Sequence, residues 1–146
     1  MDPFARNMLR STAAFAVGLL VIFAVMTVAY LHIHPQCPDA VLGQAESPSH
    51  RFVATLLQRR CGEESPFITQ VNLRDASQNL PQGFLSGEVQ KGIVFRMEQD
   101  AAGAGLSLNW SSPAELTIRC PRCETRFVQQ RETRWEQVTI RYEGAR

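Results

Sequence analysis

The sequence predicts a mainly β protein, with one N-terminal transmembrane helix followed by a small antiparallel β-meander or sandwich of about six strands. Two observations predict this fold class. An uncharged apolar run occupies residues 12–31, and from residue 51 onward apolar and polar side chains alternate with a period of two. A chain of 146 residues is long enough for one such domain and an anchor.

The apolar run reads TAAFAVGLLVIFAVMTVAYL. As a helix rising about 1.5 Å per residue, it would span the roughly 30 Å hydrocarbon core of a bilayer. Arg6 and Arg10 precede the run, and no Lys or Arg follows it until Arg51. The positive-inside rule therefore predicts a cytoplasmic N-terminus and an exported remainder. The expected location is the bacterial inner membrane, crossed once, with the C-terminal domain in the periplasm.

The alternative for this run is a secretory signal peptide cleaved after Thr27-Val28-Ala29. The run is longer than a usual signal core, so we favour a retained signal anchor. The predicted organisation is then a cytoplasmic stub and anchor over residues 1–34, a Pro-rich linker over residues 35–50 and an extracytoplasmic β-domain over residues 51–146. Three prolines in the linker indicate an extended spacer.

Six segments of the β-domain have the alternation of half-buried strands. Turns containing Gly, Pro or Ser separate them. Arg96, Arg119 and Arg141 fall on the polar side of their segments, where we expect a solvated charged face. The segment from Glu124 to Arg134 fits either a strand or a helical turn. The six segments are residues 52–57, 67–74, 93–98, 106–110, 116–120 and 138–142.

Four cysteines carry the main chemical signal, at Cys37, Cys61, Cys120 and Cys123. In an oxidising compartment an even number of cysteines is typical of disulfide bonds. We expect Cys37 to pair with Cys61, which would tie the incoming chain to the end of the first predicted strand. Closing that loop would stabilise the fold by about 3 kcal/mol. We expect Cys120 to pair with Cys123 across a turn.

Two other interpretations of Cys120-Pro-Arg-Cys123 stay open. The spacing matches a zinc knuckle, but a structural zinc site needs four ligands and usually two such pairs. A composite site using all four cysteines is the minor metal alternative. The spacing also matches a thiol-disulfide active site, but such a motif begins a helix in an alternating strand–helix chain, and this pattern is absent here.

Four segments of the β-domain form a recognisable set: Arg59-Arg60-Cys61-Gly62, Phe67-Ile68-Thr69-Gln70-Val71, the Trp110 to Ile118 segment with its Trp, Leu and Ile, and Val138-Thr139-Ile140-Arg141-Tyr142-Glu143. Together these segments resemble a family of small bacterial membrane-anchored envelope proteins. The resemblance covers residues 49–143, and the Cys-Pro-Arg-Cys motif lies outside it. It implies a β fold and an envelope location. No activity is established for that family, so it implies no reaction.

Composition and motifs favour a non-catalytic function. The net charge is +1, which does not favour nucleic-acid binding. His50 is the one histidine beyond the anchor region, and no Gly-x-Ser-x-Gly nucleophile motif occurs. We therefore expect no cofactor and no enzymatic activity. The expected function is that of an accessory or binding protein of the cell envelope. Such a protein would bind a protein partner, and the sequence does not indicate which residues bind it. The alternatives are a thiol-disulfide protein using Cys120 and Cys123, or an immunity protein against an envelope-acting toxin.

Overall fold

The computed structural model describes residues 3–33, 37–83 and 86–144. The chain divides into two compact units, Met1–Gln36 and Cys37–Arg146. Residues 34–36, where we predicted that the anchor would end and the linker begin, lie outside the described residues.

The first unit contains one helix, α1, from Pro3 to Ile33. Its segment Thr12–Leu31 has a mean hydropathy of 2.5 and is 0% buried. The Thr27 hydroxyl donates to the Phe23 carbonyl oxygen 2.8 Å away, so this polar side chain is satisfied within the helix. The helix is long and apolar enough to cross a membrane, as the sequence predicted.

Nine strands form two sheets in the described part of the second unit. They are β1 Ala40–Glu46, β2 Phe52–Arg59, β3 Ile68–Asp75, β4 Ile93–Met97, β5 Ser107–Ser112, β6 Glu115–Arg119, β7 Val128–Arg131, β8 Arg134–Trp135 and β9 Val138–Glu143. The first sheet has the order β1-β2-β3-β4-β7 and the second has the order β5-β6-β9-β8. A short helix, α2 (Ala101–Ala104), lies between β4 and β5, and a 3₁₀ turn (Thr125–Phe127) precedes β7.

All six predicted segments correspond to strands, namely β2 to β6 and β9. The inner faces of the two sheets share one buried core, which makes the unit a sandwich. Leu116 and Val138 of the second sheet and Val71 of the first are 0% exposed. Burying a side chain of this kind contributes about 1.5–3 kcal/mol. The strand residues of this core are Phe52, Ala54, Val71, Leu73, Val94, Phe95, Met97, Leu116, Ile118, Val138 and Ile140.

Strand β1 corrects the prediction of a spacer over residues 35–50. β1 pairs with β2 along its whole length, from Ala40 opposite Gln58 to Glu46 opposite Val53. The prolines that indicated a spacer, Pro38 and Pro48, flank this strand and do not interrupt its hydrogen bonds. The β fold therefore begins well before residue 51.

The pairing of β6 with β9 corrects the prediction of sequential hairpins. These two strands run parallel, with Glu115 opposite Thr139 and Arg119 opposite Glu143, whereas the other strand pairs are antiparallel. After β6 the chain crosses to the first sheet as β7 and returns as β8, so β9 enters beside β6 in the same direction. The ambiguous segment from Glu124 to Arg134 holds both expected structures, a 3₁₀ turn followed by strands.

Candidate functional site

The Cys-Pro-Arg-Cys motif forms a turn at the end of β6. Cys120 and Cys123 form a disulfide with Cα atoms 5.4 Å apart, as the sequence predicted. The Cys120 N–H donates to the Glu143 carbonyl oxygen 2.8 Å away, which joins the turn to the end of β9. Gly144 follows with φ +85°, and a Cβ there would lie 2.8 Å from the Pro121 Cα, so only glycine fits this contact.

The surroundings of this disulfide favour a structural role. Cys120 and Cys123 are 3% and 4% exposed and belong to the core of the sandwich. The Cys123 sulfur lies 3.3 Å from the Met97 sulfur. The nearby Arg122 guanidinium donates to the Ala102 carbonyl oxygen at 3.2 Å and so has a backbone partner. A redox-active sulfur must be accessible to its reaction partner, and these two cysteines are almost fully buried.

The second disulfide joins Cys37 to Cys61, again the predicted pair, with Cα atoms 5.2 Å apart. Cys37 is 8% exposed and precedes β1, whereas Cys61 is exposed and follows β2. The bond therefore closes the open end of the β1–β2 pair and holds the entry to the sandwich in place. No cysteine of the chain is free.

The composite four-cysteine metal site is not assembled, because the four sulfurs form two separate disulfides. Across residues 3–33, 37–83 and 86–144, no three His, Cys, Asp or Glu side chains are grouped so that they could hold a metal ion. His50 is exposed, and its Nδ1 lies 2.9 Å from the Glu46 carboxylate, so it forms a local surface pair.

Comparisons of the chain with protein-family models, with curated proteins and with solved structures found no match. The resemblance to the envelope-protein family therefore stays a prediction.

Strand β1 presents an exposed apolar pair at the edge of the first sheet. Val41 and Leu42 are 48% and 51% exposed, and they are the exposed large hydrophobic side chains among the described residues of the second unit. Leu42 is the extra residue of a bulge, where the register with β2 shifts between Val41 and Gly43. The other half of the edge is covered, because the Trp110 indole N–H donates to the Ala45 carbonyl oxygen at 2.9 Å.

A buried polar network holds the start of β1, and sequence reasoning missed it. Asp39 is 5% exposed, and its Oδ2 accepts hydrogen bonds from Gln70 Nε2 at 2.8 Å and from the Val89 N–H at 2.6 Å. Gln70 Oε1 in turn accepts from Arg96 Nη2 at 3.1 Å. Arg96 is therefore half-buried and bonded, which corrects its assignment to the solvated face. Arg119 and Arg141 are exposed as predicted.

One sequence signal pointed to this network. Gln70 is a long polar residue between Ile68 and Val71 of β3, and it is the Gln of the Thr-Gln-Val segment that carried the family resemblance. Asp39 gave no such signal, because it lay in the predicted linker. The network ties the chain entry to β3, β4 and the β3–β4 connection, which is a structural function.

A small cavity opens at one end of the sandwich, between β4 and β7 of the first sheet and β6 and β9 of the second. Its volume is about 110 Å³, and its walls include Phe95, Ile118, Val128 and Tyr142. The Tyr142 hydroxyl donates to the Glu132 carbonyl oxygen 2.6 Å away. Burial raises the pKa of Tyr142 to about 12.

Proposed function

We propose that the chain is a membrane-anchored, non-catalytic interaction protein of the bacterial cell envelope. In this proposal α1 is the anchor, and the β unit lies in the periplasm and binds a protein partner. The apolar helix supports anchoring. The basic residues before the helix and the two disulfides support an exported, oxidising location for the β unit.

The observation that carries the proposal is the exposed apolar pair on the open half of strand β1. An edge strand has backbone N–H and C=O groups without strand partners on one side, and soluble proteins usually protect such an edge with charge or cover. Here Val41 and Leu42 occupy that edge. An extended segment of another envelope protein, adding to β1 as a further strand, would satisfy the backbone and cover both side chains.

The thiol-disulfide alternative is not proposed. Its chemistry requires a partner to reach the sulfur of Cys120 or Cys123, and both are almost fully buried in the core. A partner that is an envelope-acting toxin would make the chain an immunity protein. That function would be one case of the same binding mode.

Site-specific photo-crosslinking of the full-length chain in its own membrane tests the proposal. We place the photoreactive residue at Val41 and, as a matched control, at Thr139, which is exposed on the second sheet. One heterologous protein should crosslink at Val41 and not at Thr139. Adding Leu42→Lys should abolish the adduct, since a charged residue opposes strand addition at an edge.

Three results would contradict the proposal. They are the absence of an adduct at Val41, the same set of adducts at both positions, or an adduct formed only with a second copy of this chain. Unchanged thermal unfolding of the Leu42→Lys variant is required to show that loss of the adduct reflects the edge itself.

A further inference from the structure

One arginine side chain faces the space between the two sheets. Arg131, the last residue of β7, is paired directly with Phe95 of β4. Directly opposite residues of antiparallel strands project from the same face of a sheet, and Phe95 belongs to the core between the sheets. Tyr142 of β9 packs against the same core, and the Arg131 Cζ lies 4.3 Å from the centroid of its ring. Because Arg131 is also exposed, its side chain lies where this space opens to solvent.

Arg131 lines the small cavity of about 110 Å³ at this end of the sandwich. Phe95 and Ile118, which form the inner walls, are 2% and 0% exposed. Glu143 borders the cavity too, but the alternation of β9 places its side chain on the outer face of the second sheet, opposite to that of Tyr142. Arg131 is therefore the one charged side chain that faces the cavity from its described walls.

The Arg131 guanidinium is available to a ligand. It forms no ion pair with any residue in the part of the chain that the structure describes. A guanidinium that lies over an aromatic ring uses its face for that contact, whereas its N–H donors lie in its plane. These donors match a carboxylate, which arginine can bind through a pair of parallel hydrogen bonds. The contact with Tyr142 therefore holds the guanidinium in place and leaves its donors for an anion.

The interior of the cavity limits the group that can accompany the anion. Its walls include the apolar side chains of Phe95, Ile118 and Val128. An apolar protein cavity of about 150 Å³ accommodates benzene, so one of about 110 Å³ suits a smaller group such as a branched aliphatic chain. A single guanidinium balances a single negative charge, which favours a carboxylate over a phosphate monoester with its nearly double charge.

We propose that this cavity binds a short, branched aliphatic monocarboxylate such as isovalerate. The branched chain occupies the apolar interior, and the Arg131 guanidinium donates charge-assisted hydrogen bonds to the carboxylate at the mouth. The same chemistry occurs in a free short-chain acid and in the C-terminal residue of a polypeptide that ends in valine. The site lies on β7, at the opposite edge of the first sheet from β1, so it is independent of the proposed partner-binding edge.

Methyl NMR of the full chain in detergent micelles tests the site, with the Ile118 and Val128 methyl resonances as reporters. Isovalerate should shift both resonances in a saturable manner. The alcohol 3-methylbutan-1-ol has the same branched chain without the charge, and acetate has the carboxylate without the branched chain. Each should bind at least about tenfold more weakly than isovalerate, because the alcohol loses the charge-assisted hydrogen bonds and acetate loses the apolar contact.

A further probe, N-acetylvaline, distinguishes the two sources of this chemistry. It is isovalerate with an acetamido group on the carbon next to the carboxylate, so it represents the C-terminal residue of a polypeptide. If it binds as tightly as isovalerate or more tightly, the ligand is the end of a polypeptide. If it binds more weakly, the ligand is a free short-chain acid.

Two variants and one matched control complete the test. Arg131→Gln removes the charge at the mouth and should weaken isovalerate binding at least about tenfold. Val128→Phe fills the interior and should weaken it by a similar factor, as observed at Ile118. The control is Arg51→Gln, which changes an exposed arginine that also lies over an aromatic ring but does not line the cavity, and it should leave binding unchanged.

Cooperative thermal unfolding well above the titration temperature shows that each variant is folded. The proposal is overturned if isovalerate gives no saturable shift, or if 3-methylbutan-1-ol binds as tightly as isovalerate. It is also overturned if folded Arg131→Gln binds isovalerate as the unchanged chain does, or if Arg51→Gln is as harmful as Arg131→Gln.

Discussion

Removal of the Cys37–Cys61 disulfide should destabilise the β unit by about 3.5 kcal/mol. The two cysteines are 24 residues apart in sequence. In the loop-entropy treatment, a cross-link of that length lowers the entropy of the unfolded chain by roughly 12 cal/mol/K, which is about 3.5 kcal/mol at 25 °C. Cys61 is exposed, so its replacement opens no cavity, and most of the expected loss comes from the missing cross-link.

The assay is urea unfolding of the Cys37→Ala/Cys61→Ala variant in detergent micelles, followed by tryptophan fluorescence. Both tryptophans of the chain, Trp110 and Trp135, lie in the β unit, so the signal reports on that unit and not on the helix. In a thermal scan the same loss should lower the Tm by roughly 15 °C for a unit of this size.

The matched control is Glu63→Ala/Glu64→Ala, which changes two exposed residues in the β2–β3 loop and keeps the disulfide. Exposed substitutions of this kind usually change stability by less than about 0.5 kcal/mol. A loss below about 1 kcal/mol in the double-cysteine variant would refute the reasoning, because it would show that closing this loop does not restrict the unfolded chain as the model requires.

Three further predictions concern single side chains. Asp39→Ala should lower the free energy of unfolding in urea by about 2–5 kcal/mol, because it leaves two buried N–H donors without their acceptor. Asp75→Ala, on the surface, should lower it far less, and equal losses in the two variants would contradict the prediction. In a Tyr30→Phe background, where Tyr142 is the one remaining tyrosine, phenolate absorbance should titrate near pH 12. Because the pKa of Tyr142 is raised in the folded state, the stability that the neutral phenol contributes should be complete below about pH 10 and lost as the pH rises toward 12. A phenolate titration near about pH 10 would refute this prediction. Trp110→Phe should lose about 1 kcal/mol with the hydrogen bond to β1, and an unchanged Tm would argue against that contact.

The strands that the sequence revealed and those that it concealed differ in length and composition. β2 and β3 are eight residues each, long enough for their recurring apolar side chains to be recognised as strands. β7 and β8 have four and two residues and are mostly polar, so they carry too little periodicity to be recognised. β1 is longer, but it combines small and polar residues with a bulge between flanking prolines, which resembles a spacer.

The two disulfides could be predicted for a local and a topological reason. Cys120 and Cys123 are three residues apart, so a turn is enough to bring them together. Cys37 and Cys61 are the remaining pair, because Cys61 ends the first predicted strand and Cys37 lies in the chain that leads into it. The pairing of β1 with β2 that aligns them was seen only in the structure. The burial of Cys120 and Cys123 could not be predicted, because the residues that cover them come from distant segments.

The sequence by itself determined the apolar helix, the mainly β class and six of the strands, because each depends on the spacing of residues along the chain. It favoured the observed cysteine pairing but left the choice between a meander and a sandwich open. Only the tertiary structure decided that β6 and β9 run parallel, that Asp39 joins Gln70 and that Phe95 and Tyr142 line one cavity. These features bring together residues that lie far apart in sequence. Their positions depend on how the two sheets pack, which no local periodicity encodes.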